Sequence, residues 1–450
     1  MKLNYKRTIF IGMAFLSINA FWQMYDNIIP LILQNRFHLQ DSVIGAIMAI
    51  DNVLAVFLLP IVGTWSDKVD TRLGKRTPFI VIGTIAAVIL MMIMPVADRN
   101  SQLGLFMISL AFTLIAMALY RSPAVALMPD LTPKPLRSSA NAVINLMGAV
   151  GSIYTLILIQ LLVKKEDNPS YMPVFVGVAL IMIVSIIILV ITIREKKLAA
   201  QMRLEGPEIE GIEETESELK NVTEKETQRV ETRQIAGNAT DKIAQVKRSL
   251  LFILFSTCFW YMAYNAVTTA FSRYAITIWK IQGGGFASCL MVAMVAAIIS
   301  YIPIGFVSAK LGRKKTIMIG LLLMLISYSA VFFYPTYNVT ANFFFALVGI
   351  GWAAINVNSY PMVVEMSKNS DIGKYTGLYY TFSMAAQIFT PILSGLLLQH
   401  ISYHTLFPYA IFFTVCAIAT MSQVKHGDVK PFEKKKVLEN FDVENKRNIS

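Results

Sequence analysis

The sequence predicts an all-α membrane protein with twelve transmembrane helices in two six-helix halves. The chain of 450 residues is 55% hydrophobic and only 15% charged, and its mean hydropathy is +0.57. A soluble protein of this size would stay in solution only with difficulty at that composition. Because one span needs about 20 apolar residues, the chain has room for about twelve spans and their loops.

The apolar runs fit that number and fall into two groups of six. They lie near 8–31, 42–65, 77–97, 104–129, 139–163, 172–193, 249–272, 284–308, 315–334, 339–363, 373–398 and 404–423. Residues 195–248 form the one long hydrophilic stretch, with 12 Asp/Glu and 10 Lys/Arg and no apolar run. We therefore divide the chain into a first half (1–194), a cytoplasmic linker (195–248), a second half (249–423) and a cytoplasmic tail (424–450).

Basic residues predict the orientation. The short loops after the second, fourth, eighth and tenth runs are rich in Lys and Arg, whereas the opposite loops contain few, among them Arg36, Arg99 and Arg273. Lys and Arg accumulate on the cytoplasmic side, so both termini are expected there. The same bias accounts for the formal charge of +12 and removes the reason to expect a nucleic-acid partner. The location predicted is the cell membrane.

Two segments of the first half are echoed in the second. Phe21–Met24 of the first run corresponds to Phe259–Met262 of the seventh, and Asn27 and Asn265 follow at the same offset. A stronger echo follows the second and eighth runs, where glycines alternate with charges. Its members are Gly63, Asp67, Lys68, Gly74, Lys75 and Arg76 in the first half, and Gly305, Gly312 and Arg313 in the second.

This charged segment has a physical interpretation. Glycines let helix ends approach closely, and an acid such as Asp67 can hold cationic side chains from the loop and from the other half. The segment would then act as a gate that latches the cytoplasmic side. The alternative is that the basic residues only anchor the topology.

The pattern resembles the signature of the major facilitator superfamily, G-x-x-x-D-[RK]-x-G-R-[RK], found between the second and third helices of each half. The first-half spacing, with Pro129–Pro133 and Arg137–Ala142 after the fourth run, is similar to the sucrose/proton symporters and the related glycoside–pentoside–hexuronide:cation symporters. The resemblance implies two parallel six-helix repeats and coupled sugar uptake.

Three ionisable residues stand out well inside the predicted spans, away from their ends: Asp26, Asp51 and Arg121. Such groups cost at least about 2.5 kcal/mol each at the centre of a membrane helix, so they are candidates for function. We expect Asp51, with Asp26 as the alternative, to bind the coupling cation, and Arg121 to pair with the deprotonated acid. The alternative is a static ion pair that stabilises helix packing.

The resemblance also has departures. Melibiose-type symporters place a pair of acids immediately before Pro-x-x-Gly on the second helix, but Leu59 precedes Pro60 here. Plant sucrose symporters have an arginine at the position that matches Val125. A proton is favoured as the coupling ion because Na⁺ needs several oxygen ligands. Sodium stays open, since Asn27 and Asn52 stand beside the two acids.

A sugar site needs aromatic faces that stack on C–H surfaces and amides that bind hydroxyl groups. Both halves offer such residues near the midplane, and an unpaired amide avoids lipid. The candidates are Trp22, Gln23, Tyr25, Asn27, Asn52, Trp260, Tyr264, Asn265, Asn356, Asn358, Tyr380 and Gln387.

The function predicted is symport of a sugar, a disaccharide or other glycoside, with a proton or sodium ion. No Walker A, HExxH or triad pattern indicates an enzyme. The three cysteines have no metal-ligand spacing, and we expect no cofactor, no metal and a monomer in the bilayer. Two alternatives remain: an amphiphile or drug exporter on the same fold, and a non-transporting sugar sensor.

Overall fold

The computed structural model describes residues 4–133, 136–166, 169–198, 235–366 and 372–428. Within these residues, twelve helices are long and apolar enough to cross a membrane. The first half contains α1 (Tyr5–Asn35), α2 (Asp41–Lys68), α3 (Thr77–Arg99), α4 (Leu103–Asp130), α5 (Arg137–Leu162) and α6 (Met172–Thr192). The second contains α7 (Ile235–Thr277), α8 (Ala287–Leu311), α9 (Arg313–Phe332), α10 (Ala341–Glu365), α11 (Ile372–His400) and α12 (Leu406–Ser422).

The twelve predicted spans are confirmed, and all but one begin and end within a few residues of the observed helices. The exception is α7, which begins at Ile235 rather than near 249. Part of the predicted linker is therefore helical, and residues 199–234 lie outside the described residues. The first residues of the predicted tail are packed, since Val424 is fully buried.

Close helix packing within each half occurs at glycines. A Cβ atom added to Gly151 of α5 would lie 2.1 Å from the carbonyl oxygen of Leu16 in α1. In the second half, one added to Gly349 of α10 would lie 2.0 Å from the carbonyl oxygen of Ala293 in α8. Only glycine permits such backbone approach, and membrane helices rely on it because lipid provides no hydrophobic driving force between them.

The two halves meet at one end of the bundle. We call the end that holds the start of α1 and the end of α12 the terminal end, which the basic loops predict to be cytoplasmic, and the opposite end the far end. At the far end, a Cβ atom on Gly45 of α2 would lie 2.0 Å from the carbonyl oxygen of Pro391 in α11. One on Gly284, just before α8, would lie 1.9 Å from the carbonyl oxygen of Ile159 in α5. These two seams, α2–α11 and α5–α8, close the far end.

Toward the terminal end the same helix faces separate. Val56 lies eleven residues after Gly45, and Tyr380 eleven residues before Pro391, which places each on the face of its helix that forms the seam. Both are exposed, by 41% and 51%. Among the described residues, the hydrogen bonds that join the halves all lie at the far end. The structure is therefore closed at the far end and open to the terminal end.

Candidate functional site: the cleft between the halves

The first half brings its membrane-embedded acids together. Asp26 of α1 and Asp51 of α2 are partly buried, and their charges interact with each other. Asn52 donates a hydrogen bond of 2.8 Å from Nδ2 to Oδ1 of Asp51. The buried hydroxyl of Tyr25 has no hydrogen-bond partner and interacts electrostatically with both acids. Two carboxyl groups and the Tyr25 hydroxyl, which makes no hydrogen bond, therefore lie in one region of the first half.

Arg121 of α4 lies near these acids without pairing directly with either of them. Its charge interacts with Asp51, but within the described part of the chain no ion pair of 4 Å or less includes it. Its guanidinium carbon lies 5.8 Å from the centroid of the Trp22 ring, a cation–π distance. The Trp22 indole N–H is buried and has no partner. Arg121 thus lies between Trp22 and Asp51 without a direct ion pair to either acid.

The second half faces this group with an aromatic cluster. Tyr264 of α7 and Trp352 of α10 stack with ring centroids 3.7 Å apart and an interplanar angle of 2°. Tyr261 meets the edge of Trp352 at 5.3 Å. Tyr264 lies within electrostatic range of Asp26, so the stacked pair of the second half is near the first-half acids. Trp352 and Tyr261 were missed by sequence reasoning, because an aromatic residue in a membrane helix is usually lipid-facing or packed.

Four further predicted amides are partly exposed, and two of them, Asn265 and Asn356, lie near this cluster along its own helices. Asn265 lies one residue after Tyr264, and its Nδ2 is buried without a partner. Asn356, one turn beyond Trp352, donates from Nδ2 to the Trp352 carbonyl oxygen at 3.2 Å. Gln387 donates to the carbonyl oxygen of Ser383 at 3.3 Å. Gln23 is also partly exposed.

Three predicted substrate residues do not reach the cleft. Trp260 is fully buried in the apolar core. Asn27 is fully buried and donates to the Gln23 carbonyl oxygen of its own helix at 2.9 Å. Asn358 donates to the Ala354 carbonyl oxygen and accepts from the hydroxyl of Ser308. The structure gives these side chains packing contacts, and it leaves their substrate role without geometric support.

A buried ion pair crosses between the halves at the far end. Nη1 of Arg273 in α7 donates to Oδ1 of Asp41 at the start of α2, at 2.5 Å. The Tyr403 hydroxyl donates to the same oxygen at 2.6 Å, and Gln34 donates to that hydroxyl. We call this group the far-end lock. Arg273 was expected in a loop, but it lies inside α7 with 2% of its surface exposed.

The charged segment after α2 forms a compact cluster around Arg76. Arg76 is 6% exposed and donates to the carboxylates of Asp67 and, at 2.8 Å, Asp130. It also donates to the hydroxyl of Ser66 and the carbonyl oxygen of Gly63. The predicted contact between Asp67 and a loop cation is therefore present. The predicted contact with the other half is not among the described ion pairs in this open state.

Glu195, just beyond α6, caps the start of α3. Its carboxylate accepts backbone N–H bonds from Lys75, Arg76 and Thr77 at 2.7–2.9 Å, and a further bond from the Thr77 hydroxyl. Gly74 lies against it with φ of +117°, a conformation that favours glycine. This explains both the glycine and the position of the cluster, and it places a negative charge at a helix N-terminus, where it is stabilising.

The second half repeats this arrangement incompletely. Asp428, just beyond α12, accepts from the backbone N–H of Lys314 at 2.9 Å, beside Gly312 with φ of +93°. Arg313 pairs with Glu365 at 3.0 Å, yet its Nε and Nη1 have no hydrogen-bond partner. Ala309 stands at the place of Asp67. Gly305 is buried in α8, and Lys68 is exposed in α2.

Comparison with known proteins identifies the family. The model of the Major Facilitator Superfamily matches residues 10–293 and 253–441. The sucrose transport protein SUC3 of Arabidopsis thaliana is 31% identical over 120 residues, 22% of this chain and 20% of that protein. The ectoine/proline transporter ProP of Corynebacterium glutamicum is 26% identical over 160 residues, 34% of this chain and 31% of its own length. Both matches thus span a third or less of those relatives.

Solved structures share the fold over almost the whole chain. The nucleoside transporter NupG superposes with a TM-score of 0.67 at 14% identity, covering 94% of this chain and all of that one. The xylose transporter XylE of E. coli gives 0.63 at 12% identity, covering 97% and 98%. With its twelve helices in two halves and its matching family model, the chain belongs to the major facilitator superfamily and is a multi-pass membrane protein.

Proposed function

We propose that this chain takes up a glycoside together with a cation, a proton rather than sodium, by alternating access. One observation supports this most: two carboxyl groups and an arginine without an ion pair face a stacked aromatic pair across a cleft open at one end. Aromatic faces suit the C–H surface of a sugar ring, and amides and carboxylates suit its hydroxyl groups.

In the coupling step, the proton and Arg121 compete for the Asp51 carboxylate. When Asp51 is ionised, Arg121 of the same half is attracted to it; when Asp51 is protonated, Arg121 is released toward Trp22 and the ligand. A ligand and a proton that both favour one arrangement bias the rocking of the halves. Asp26, the alternative acid, lies on α1 within electrostatic range of both Asp51 and Tyr264.

A proton is favoured over sodium because the acids offer few oxygen atoms at once. Among the described residues, no group of three or more Asp, Glu, His or Cys side chains is arranged to hold a metal ion. One oxygen of Asp51 is already engaged by Asn52. Na⁺ would need additional ligands from Tyr25, from backbone carbonyl groups or from the substrate.

A zwitterionic osmolyte is the second candidate substrate. An arginine without an ion pair suits a carboxylate, and an aromatic face beside acids suits an ammonium group. The partial similarity to an ectoine/proline transporter agrees with that chemistry. A glycoside is favoured because the cleft contains more amide groups than a compact zwitterion uses.

Counterflow in proteoliposomes tests the proposal. Purified protein is loaded with unlabelled solute and offered labelled glucose, sucrose, maltose, melibiose, proline or ectoine, under an imposed proton or sodium gradient. We expect glycoside exchange, and accumulation driven by the proton gradient alone. Exchange of proline or ectoine without any glycoside would replace the sugar assignment, and accumulation that requires sodium would replace the proton.

A further inference from the structure

A second aromatic cluster lines the cleft below the stacked pair, closer to the terminal end. Tyr360 of α10 and Tyr380 of α11 have ring centroids 6.1 Å apart, and Tyr379 lies 5.6 Å from each. Tyr360 shares a hydrogen bond with the Thr376 hydroxyl at 3.1 Å, and Tyr379 shares one with Ser359 at 2.9 Å. Two of the three rings are therefore fixed in orientation, whereas the Tyr380 ring is half exposed.

Tyr380 faces the cleft rather than lipid. Gly395 and Pro391 on the same helix contact α2 of the first half at the far end, where a Cβ atom on Gly395 would lie 2.5 Å from the carbonyl oxygen of Asp41. At about 100° per residue, Tyr380 lies roughly 20° around the helix from Pro391. Phe389, which is also exposed, lies on the opposite side of α11 from Tyr380.

Helix α10 connects the two aromatic clusters through one polar residue. Trp352, Asn356 and Tyr360 are spaced four residues apart, so they occupy successive turns of one face, and about 12 Å of helix separates the first from the last. The Asn356 amide nitrogen is engaged with the Trp352 carbonyl oxygen, which leaves its side-chain oxygen to accept from a hydroxyl. A single hexose ring cannot reach both clusters.

We propose that Tyr360 and Tyr380 form a second ring subsite, so that the substrate is a glycoside of at least two linked rings. One ring lies against Tyr264 and Trp352, the other against Tyr360 and Tyr380, and Asn356 accepts a hydroxyl between them. This inference rests on the proposed function, and it names the residues that select for the number of rings.

Tyr380→Ala tests the subsite, with two matched controls. Tyr380→Phe keeps the ring and removes the hydroxyl, and Phe389→Ala removes an exposed ring of α11 that faces away from the cleft. Counterflow of a disaccharide and of a monosaccharide is measured for each variant in proteoliposomes. For Tyr380→Ala we expect the half-saturation concentration of the disaccharide to rise roughly three- to tenfold, as for one lost stacking contact. That of the monosaccharide should change less than twofold. Phe389→Ala should match the parent protein, and Tyr380→Phe, which keeps the stacking face, should raise the disaccharide value less than Tyr380→Ala does.

The outcomes separate this inference from the proposed function. A parent protein that exchanges monosaccharides but no disaccharide would remove the second subsite and leave sugar transport intact. A lower maximal rate for both sugars at unchanged half-saturation would make Tyr380 part of a gate against α2 instead. A parent protein that exchanges no glycoside would remove both claims. If Tyr380→Ala does not reach the membrane, Asn356→Ala provides the same comparison.

Discussion

The far-end lock allows a prediction about the balance between the two open states. Asp41 and Arg273 belong to different halves, and their side chains are 11% and 3% exposed in the present state. When the far end opens, the two residues separate and become hydrated. The ion pair therefore stabilises the state that is open to the terminal end, and its loss affects that state alone.

Removing one partner of a buried ion pair costs roughly 3–5 kcal/mol, because the other charge is left buried and unpaired. For Asp41→Asn we expect the lower end, about 3 kcal/mol, since the amide oxygen still accepts from Arg273 and from Tyr403. That change shifts the equilibrium about a hundredfold toward the state open at the far end.

Thiol labelling measures the shift. A cysteine in place of Met48, which is buried in α2, is introduced into a variant without the native cysteines, and its reaction with an impermeant reagent is timed from each side of the membrane. Asp41→Asn should speed labelling from the far side by at least tenfold. Exchanging the charges, with Asp41→Arg and Arg273→Asp together, should restore much of the slow labelling.

Asp98→Asn provides the matched control. Asp98 pairs with Arg36 at 3.0 Å, also in a buried place near the far end but within the first half. Its loss should lower stability without speeding the labelling. Unchanged or slower labelling in a folded Asp41→Asn variant, or equal acceleration by both variants, would refute the assignment of the lock.

Three further variants test other parts of the structure. Asp51→Asn should abolish accumulation driven by a proton gradient while counterflow persists; accumulation at the parent level would contradict the coupling role. Gly284→Ala, whose Cβ would lie 1.9 Å from a carbonyl oxygen, should speed labelling at Met48→Cys, whereas Gly104→Ala, with open space around it, should not. Glu195→Gln should lower the unfolding temperature, at a cost of about 1–3 kcal/mol, and Lys196→Gln on an exposed pair should leave it unchanged.

The sequence predicts the helices well because the membrane enforces them. Every backbone polar group in hydrocarbon needs an internal partner, so an apolar run of sufficient length has to be a helix. The predicted start of α7, near residue 249, was wrong because hydropathy detects only the part of a helix that lies in the membrane. Residues 235–248 of α7 mix apolar with polar and charged side chains, so they give no hydropathy signal for a helix that extends beyond the apolar layer.

The candidate site was harder to predict, because an amide can satisfy itself within its own helix. Asn358 donates to the carbonyl oxygen of Ala354 and accepts from the Ser308 hydroxyl, so its place in a membrane helix requires no ligand. Asn27 makes the same backward bond to the carbonyl oxygen of Gln23. The internal repeat predicted equivalent roles for Trp22 and Trp260. Trp22 lines the cleft, but Trp260 is buried in the core. The arginine Arg273 was missed because its partner Asp41 is distant in sequence and marked by no motif.

The unequal charge clusters at the terminal end lead to the last prediction. Arg76 reaches two carboxylates, a hydroxyl and a carbonyl oxygen, whereas Arg313 reaches Glu365 and keeps Nε and Nη1 without partners. A buried donor without a partner costs about 1–3 kcal/mol. Since Ala309 occupies the place of Asp67, Ala309→Asp should supply the missing acceptor and raise the unfolding temperature of the purified protein.

The matched variant Ala309→Asn has the same size but no charge, so it should stabilise less or not at all. If Ala309→Asp and Ala309→Asn lower the unfolding temperature by the same amount, the second cluster is not simply an incomplete copy of the first. Stabilisation by aspartate alone would mean that the second half keeps an unsatisfied arginine at the end of the cleft that opens. At that end the two halves must come together and separate in each transport cycle. A cluster with fewer contacts there would let the second half rearrange more easily than the first.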